Sequence, residues 1–224
     1  MITRAELATV PWQRVHTARS WTQATIHGVE WQGQRLVIKD FAGKGWLTRQ
    51  TVGRLSLWRE ARAYARLRGV AGVPEVWGRI DGPALVMEWL PLKRLPRAEE
   101  RALAPAFFDA LDALLAEIHA RGVAHGDVRR KNIAVGEDGL PRLIDFTTAV
   151  CRPGGFAPLR GWLFRLQCRV DAITAVRIRA SFFPETPLSG EHESLLAAEP
   201  WLLKAGRWCR QRLYRPFKKR VLRR

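Results

Sequence analysis

The stretch that decides the fold runs from residue 125 to residue 146 and reads HGDVRRKNIAVGEDGLPRLIDF. It places Asp127 and Asn132 five positions apart, and Asp145 follows thirteen positions later, directly before Phe146. Phosphoryl transfer needs such a set, because one carboxylate orients the attacking hydroxyl while an amide and a second carboxylate hold the metal. An isolated H-x-D is weak evidence for a phosphoryl-transfer site. The order H-x-D-x-x-x-x-N followed by D-F is specific to such sites. The stretch therefore predicts a catalytic and metal-binding centre.

Two upstream segments carry the groups that this chemistry also requires. Lys39 ends the apolar run Val37-Ile38-Lys39, and Glu60 lies on the next predicted helix, within reach of that lysine. Further along, residues 85–90 read LVMEWL and include Glu88 and Leu90. Taken singly, Lys39 and Glu60 are ordinary surface charges, and Asp127 and Asn132 are common turn formers. All of them together, in this order and at these separations, favour one site.

These segments resemble the protein-kinase-like superfamily over roughly residues 14 to 180. The resemblance implies ATP and Mg²⁺ as cofactors, with Lys39 on the phosphates and Glu60 positioning that lysine. It further implies that Asp127 is the catalytic carboxylate and that Asn132 and Asp145 are the metal ligands. Backbone groups around Glu88 and Leu90 would then bind the adenine edge.

The order of predicted elements supports an α+β fold. Strand patterns cover residues 24–31, 35–41, 76–80 and 84–89, and helical patterns cover residues 55–67 and 105–120. We predict a two-lobed protein-kinase-like fold with a small antiparallel-sheet N-lobe at residues 1–90 and a reduced helical C-lobe at residues 91–200. A basic, aromatic tail at residues 201–224 follows.

Departures from the common kinase pattern reduce the number of kinase-like families that the sequence resembles. Gly126 stands where many protein kinases have Arg, and Thr147 replaces the Gly after Asp145-Phe146, which predicts a stiffer loop. The H-G-D loop is similar to the RIO kinases and to the kinase of the KEOPS tRNA-modification complex. Residues 39–47 (KDFAGKGWL) and 57–60 (LWRE) resemble the bacterial lipopolysaccharide-core kinases that act on Kdo or heptose. We favour this second branch, whose late helix resembles residues 169–173 and uses its Asp, here Asp171, to brace the catalytic loop.

Two readings stay open at the phosphate-binding loop. Lys39 is preceded by no G-x-G-x-x-G, and the corresponding turn is residues 19–23, where Ser20 and Thr22 either cover the phosphates or form an ordinary polar turn. A nucleotide-binding pseudokinase module is an alternative function, as is a RIO-like or KEOPS-type serine/threonine protein kinase or ATPase. Lys39, Asp127, Asn132 and Asp145 are all present, which argues against a catalytically dead module.

The net charge of the chain indicates which classes of partner it can bind. The chain has 38 Lys and Arg against 21 Asp and Glu, a formal net charge of +17, and residues 201–224 contain no acidic residue. A basic and aromatic tail fits an anionic membrane surface or an anionic glycolipid such as a lipopolysaccharide precursor, nucleic acid is a competing partner, and a solvated Arg-rich surface is the plain alternative. Cys151, Cys168 and Cys209 are odd in number and widely spaced, which fits a reducing cytoplasm. The N-terminus lacks a signal-peptide pattern and no apolar run approaches 20 residues, so we expect a cytoplasmic protein that is either soluble or peripheral at the inner membrane.

Overall fold

The computed structural model describes residues 5–6, 9–16, 23–81, 83–100 and 102–199. It is a mixed α/β structure, 44% helical and 21% strand, with an antiparallel sheet. The mixed helix and strand content and the antiparallel sheet confirm the prediction of an α+β fold that contains an antiparallel sheet. The chain separates into two compact units, Met1–Phe182 and Phe183–Arg224; the domain bounds predicted from sequence stay predictions.

A five-stranded antiparallel sheet forms the first half of the first unit. In sheet order its strands are β1 (Gln13–His16), β2 (Thr25–Trp31), β3 (Gln34–Asp40), β5 (Ala84–Glu88) and β4 (Val76–Ile80). The β2–β3 hairpin closes through Gln32 and Gly33, both at positive φ (50° and 74°). This is the two-residue turn that matches the natural twist of paired strands. The strands predicted at residues 24–31 and 35–41 therefore pair with each other as a hairpin.

Alternation along β3 gives the sheet two different faces. Leu36 and Ile38 point into the apolar core on one side, together with Val29, Ile80 and Val86 from neighbouring strands. Val37 and Lys39 point to the other face, because successive strand residues project to opposite sides. That second face lines the cavity described below.

Helix α1 (Arg54–Arg66) follows a short helical turn at Trp46–Thr48 and a π-helical turn at Arg49–Gly53. Its buried residues are Leu57, Glu60, Ala63 and Tyr64, which share one face at three- and four-residue spacing. The helix packs that face against the segment Phe146–Thr148. Glu60 is consequently carried towards the residues that follow Asp145.

The rest of the first unit is mainly helical. Helix α2 (Pro105–Ala120) has the bounds that the sequence predicts, and Pro105 is tolerated because the first helical residue needs no amide donor. Helix α3 (Pro158–Phe182) packs against α2 and ends two residues before Pro184, since the residue before proline disfavours helical geometry. The remaining strands are short: β6 (Lys93–Arg94), β7 (Val123–Ala124), β8 (Ile133–Val135), β9 (Pro141–Leu143) and β10 (Val150–Cys151).

Several bounds differ from the sequence prediction by one residue. Strands β2 and β3 cover Thr25–Trp31 and Gln34–Asp40, helix α1 covers Arg54–Arg66, and strand β5 ends at Glu88 instead of at residue 89. Strand β9 stops at Leu143 because Asp145 adopts a left-handed conformation (φ 72°, ψ 67°) and Phe146–Thr148 forms a 3₁₀ turn. Within the described part of the second unit, helix α4 covers Gly190–Ala197. Ser189 precedes it as the N-cap, and its hydroxyl accepts a hydrogen bond from the His192 amide.

Candidate active site

A cavity of about 660 Å³ lies between the second face of the sheet, helix α1 and the segments that follow α2. It is lined by residues from strands β2, β3 and β5 and from the stretch between Asp127 and Thr148. All seven site residues predicted from sequence line this one cavity: Lys39, Glu60, Glu88, Leu90, Asp127, Asn132 and Asp145. Residues separated by up to 106 positions in the chain are thus brought together.

Lys39 is the centre of a buried charge cluster. Its Nζ donates to Glu60 Oε1 at 2.5 Å and to Asp145 Oδ1 at 3.2 Å. The Lys39 and Glu60 side chains are only 12% and 1% exposed. Burial lowers the pKa of Lys39, but the Glu60 and Asp145 carboxylates outweigh it and hold that pKa above its ordinary value. The ammonium therefore keeps its charge, while burial raises the pKa of Glu60 against the opposing effect of Lys39.

Asp145 is fixed by a second hydrogen bond that sequence reasoning missed. The Thr147 hydroxyl donates to Asp145 Oδ1 at 2.6 Å and lies 3.4 Å from Glu60 Oε2. Burial acts to raise the pKa of Asp145, but Lys39 and the Thr147 hydrogen bond lower it to about 2. In the sequence, Thr147 was noted only because it replaces glycine. A hydroxyl two residues from Asp145 could have indicated this hydrogen bond.

Asp127 is held by a different set of contacts. Asn132 Nδ2 donates to Asp127 Oδ2 at 3.0 Å and to the Asp127 carbonyl at 2.9 Å. The same carboxylate forms an ion pair with Arg129, whose side chain is 49% exposed. Arg129 and Lys131 both line the cavity beside Asp127. This basic flank of the predicted catalytic carboxylate was not anticipated from the sequence.

Asp171 of helix α3 braces the backbone that carries Asp127. It accepts hydrogen bonds from the His125 amide at 2.6 Å and from the Gly126 amide at 3.0 Å, and it is 1% exposed. The contact implied by the family resemblance is present. Gly126 sits at φ +82°, and a Cβ there would come within 2.4 Å of the Thr148 carbonyl oxygen, so glycine is required at this position.

His125 is buried and also holds the backbone around Asp127. The Asp127 amide lies 3.3 Å from His125 Nδ1, and Nε2 lies 3.1 Å from the Ile144 carbonyl oxygen. This network assigns the proton to Nε2. Burial lowers the pKa of His125, more than the nearby Asp171 raises it, so the ring is neutral. It packs against Phe146 with the two rings tilted by 44° and their centroids 4.5 Å apart.

Phe146 links this brace to helix α1. Its ring is fully buried and also meets Tyr64 edge-on, with a centroid separation of 5.1 Å. Tyr64 lines the cavity, and burial together with the Glu60 and Asp145 charges raises its pKa well above the ordinary value. Tyr64 therefore stays a neutral phenol beside the charge cluster.

The strand end at residues 88–90 lies along another wall of the cavity. The Glu88 amide donates to the Glu75 carbonyl at 2.8 Å, and the Trp89 amide donates to the Arg35 carbonyl at 3.2 Å. The Glu75 amide donates to the Glu88 carboxylate at 3.2 Å. In a continuous antiparallel ladder that amide would pair with the Glu88 carbonyl. The regular pairing of β4 and β5 therefore ends here.

Asn132 and Asp145 are the residues that geometry offers to a metal ion. The Ile144 amide donates to the Asn132 carbonyl at 3.0 Å, which places the two segments side by side. Because Asn132 uses its Nδ2 towards Asp127, its amide oxygen is left to act as a ligand. No group of three or more His, Cys, Asp or Glu side chains converges within the described residues. Mg²⁺ does not need such a group, since it is commonly held by one or two protein ligands together with phosphates and water.

Some predicted features fall where no structure is described. Residues 19–22 of the predicted phosphate loop, which include Ser20 and Thr22, and the whole tail at residues 201–224 lie outside the described ranges. Across the described residues, none of the helices combines the length and apolar character needed to cross a membrane.

Comparison with known proteins gives a partial match to a curated protein. No protein-family model matches the chain. The chain is similar to a curated protein named Probable SapB synthase from Streptomyces coelicolor, with 32% identity over 158 aligned residues. The match covers 56% of this chain and 17% of that protein, so the chain spans about a sixth of its relative's length.

Proposed function

We propose that this chain is an ATP- and Mg²⁺-dependent kinase with a two-lobed protein-kinase-like fold, transferring a phosphoryl group to a hydroxyl. One observation carries the proposal. A buried Lys39–Glu60 ion pair lies in the same cavity as Asp127, Asn132 and Asp145. Structural ion pairs are common, but an ammonium paired with two carboxylates inside a cavity of ligand size fits a polyphosphate site.

The residues around the cavity divide the work. Lys39, kept protonated and oriented by Glu60, would hold phosphate oxygens. Asp127, positioned by Asn132, would accept the proton of the acceptor hydroxyl. Asp171 would fix the loop that carries Asp127 through the amides of His125 and Gly126. The catalytic contribution of the chain is thus mainly positioning and electrostatics.

The cavity fits the two cofactors. Its volume of about 660 Å³ is within the range of small-molecule sites, and the wall at Glu88 and Leu90 would receive the adenine edge. The Asn132 amide oxygen and the Asp145 carboxylate would hold Mg²⁺. When bound, the metal and the nucleotide supply the transferable phosphoryl group and neutralise its charge.

For the acceptor we propose an anionic sugar of the lipopolysaccharide core. Arg129 and Lys131 line the cavity beside Asp127, and Arg129 already pairs with that carboxylate. An anionic group next to the acceptor hydroxyl would draw Arg129 away and leave Asp127 free to accept a proton. The name of the partial relative, a synthase, supports an enzyme in general and does not specify phosphoryl transfer.

Mass analysis of core glycolipid from cells with and without the gene tests this acceptor. The proposal expects one phosphate to be missing from the glycolipid when the gene is absent, and to return with the wild-type gene but not with Asp127→Asn. Label that passes from ATP to protein in a cell extract, and not to glycolipid, would instead support the RIO-like or KEOPS-type alternative. Stabilisation by Mg-ATP without any product over hours would support a nucleotide-binding module.

A pair of neighbouring arginines offers a matched control for the acceptor. Arg129→Gln should raise the KM for the anionic acceptor and leave the KM for ATP near its wild-type value. Arg130 points elsewhere: it donates to the Pro96 carbonyl at 2.5 Å and covers the Phe182 ring at 5.2 Å. Arg130→Gln should therefore lower stability without selectivity for the acceptor. Equal KM effects on acceptor and ATP for Arg129→Gln would contradict its assignment.

A further inference from the structure

Large apolar side chains project into solvent from the first two turns of helix α3 and from Phe156, two residues before it. The exposed fractions are 97% for Phe156, 69% for Leu159, 45% for Trp162 and 43% for Leu163. The buried residues of the same helix begin only at Phe164. Exposed apolar residues scattered singly are ordinary, but four within eight positions of one segment form a patch. We name these four residues the α3 patch.

The α3 patch is held in place by the core behind it. Leu159, Trp162 and Leu163 are three and four positions apart and so share one side of the helix. Phe164 is buried, and the Arg152 guanidinium covers its ring at 5.1 Å. The patch is therefore carried by the start of a helix that the core holds in place, and each of its four apolar side chains is at least 43% exposed.

The charges along the segment that carries the α3 patch have one sign. Between Asp145 and Asp171 there is no acidic residue, while Arg152, Arg160, Arg165 and Arg169 all fall within that interval. The side chains of Arg160 and Arg165 are exposed and flank the apolar stripe. Aromatic and Leu side chains bordered by Arg are the composition of helices that lie in the interface of an anionic bilayer. Arg can extend its charged end to the headgroups while apolar neighbours enter the acyl boundary.

We propose that the α3 patch docks the protein on an anionic lipid bilayer, with Phe156, Leu159, Trp162 and Leu163 entering the interface and Arg160 and Arg165 on the headgroups. This docking surface consists of described residues and does not include the basic tail at residues 201–224. It does not depend on the proposed phosphoryl transfer.

Co-sedimentation of the full chain with vesicles tests the docking surface in the absence of nucleotide. The probes are vesicles of phosphatidylcholine alone and vesicles with 30 mol% phosphatidylglycerol. Wild type should bind the anionic vesicles, and Phe156→Ser/Trp162→Gln should lower the partition coefficient roughly tenfold or more, because two large side chains no longer enter the interface. Arg160→Gln/Arg165→Gln should weaken binding and reduce its dependence on salt.

Trp77→Gln is the matched control, because Trp77 is 43% exposed on strand β4 and lies outside the patch. It should bind anionic vesicles as wild type does. Wild-type binding by Phe156→Ser/Trp162→Gln, or equal binding of wild type to neutral vesicles, would overturn the proposal. So would light scattering that shows a wild-type dimer lost in Phe156→Ser/Trp162→Gln, since the patch would then join two copies of the chain. Normal folding of each variant is checked by circular dichroism.

Discussion

The two walls of the cavity are built differently. On the sheet and α1 side, Lys39 and Glu60 are almost fully buried, and Asp145 is held by both Lys39 and Thr147. On the loop side, Asp127 lies between buried Asn132 and half-exposed Arg129, with Lys131 nearby. The first wall has its charges paired in a fixed geometry. The second has one carboxylate flanked by basic side chains that can move.

This contrast separates two tasks. A buried, fully paired cluster keeps its geometry because any displacement would leave a charge without a partner in a low-dielectric site. Such a wall suits a ligand that is the same in every reaction cycle, as the donor nucleotide is. An exposed arginine paired with a carboxylate costs little to move. That wall suits the acceptor, whose arrival would change the contacts of Asp127.

Asp127→Asn breaks the loop wall and should have the largest effect. The rate of phosphoryl transfer should fall about 10²- to 10⁴-fold, the range of a lost general base, with little change in stability. Transfer from labelled ATP measures the rate. Asp138→Asn, a carboxylate in the exposed β8–β9 turn, is the control and should retain the wild-type rate. An Asp127→Asn variant as fast as wild type would remove Asp127 from the mechanism.

Lys39→Met breaks the sheet wall and should affect stability as well as activity. It leaves the buried Glu60 without its partner at 2.5 Å, so unfolding in urea should be easier by about 3 kcal/mol. In the double variant Lys39→Met/Glu60→Met no unpaired charge remains at the pair. The double variant should therefore lose less stability than the two single variants added together. Strict additivity would mean that the pair does not couple.

Much of this architecture could be predicted from sequence, because local patterns fix it. The helix at residues 105–120 follows from the spacing of its apolar residues, and the β2–β3 hairpin follows from its two-residue turn. Seven of the residues that line the cavity were predicted from the order and spacing of motifs together with the family resemblance. The Thr147 and Arg129 contacts could not be predicted, because they depend on the left-handed backbone at Asp145 and on side-chain directions within the loop. The exposure of the α3 patch depends on where helix α3 leaves the core.

Thr147→Val removes one of the two contacts that hold Asp145 beside Lys39. Removal of the hydroxyl that donates to Asp145 at 2.6 Å should raise the Mg²⁺ concentration for half-maximal rate roughly tenfold. Thr147→Ser keeps a hydroxyl and should stay close to wild type. A titration of the rate with Mg²⁺ at saturating ATP distinguishes the two. Identical Mg²⁺ dependence for Val and wild type would show that Thr147 does not position Asp145.

The smallest effect concerns the pH dependence of stability. Burial lowers the pKa of His125 below its ordinary 6.5, so the unfolded chain takes up a proton before the folded chain does. The free energy of unfolding should therefore fall as pH decreases from about 6.5, by at most about 1.4 kcal/mol per pH unit from this group. Urea unfolding between pH 7.5 and 5 measures it. His125→Gln should show a shallower decrease, and an equal slope in both proteins would contradict a neutral buried ring.

Phosphorus NMR of the full chain with Mg-ATP and core glycolipid tests whether the cavity binds Mg-ATP and transfers its terminal phosphoryl group, as we propose. We expect loss of the γ-phosphate resonance, formation of ADP and a new phosphomonoester resonance, all absent with Asp127→Asn. An unchanged ATP spectrum, with neither line broadening nor product at stoichiometric protein, would contradict the proposal.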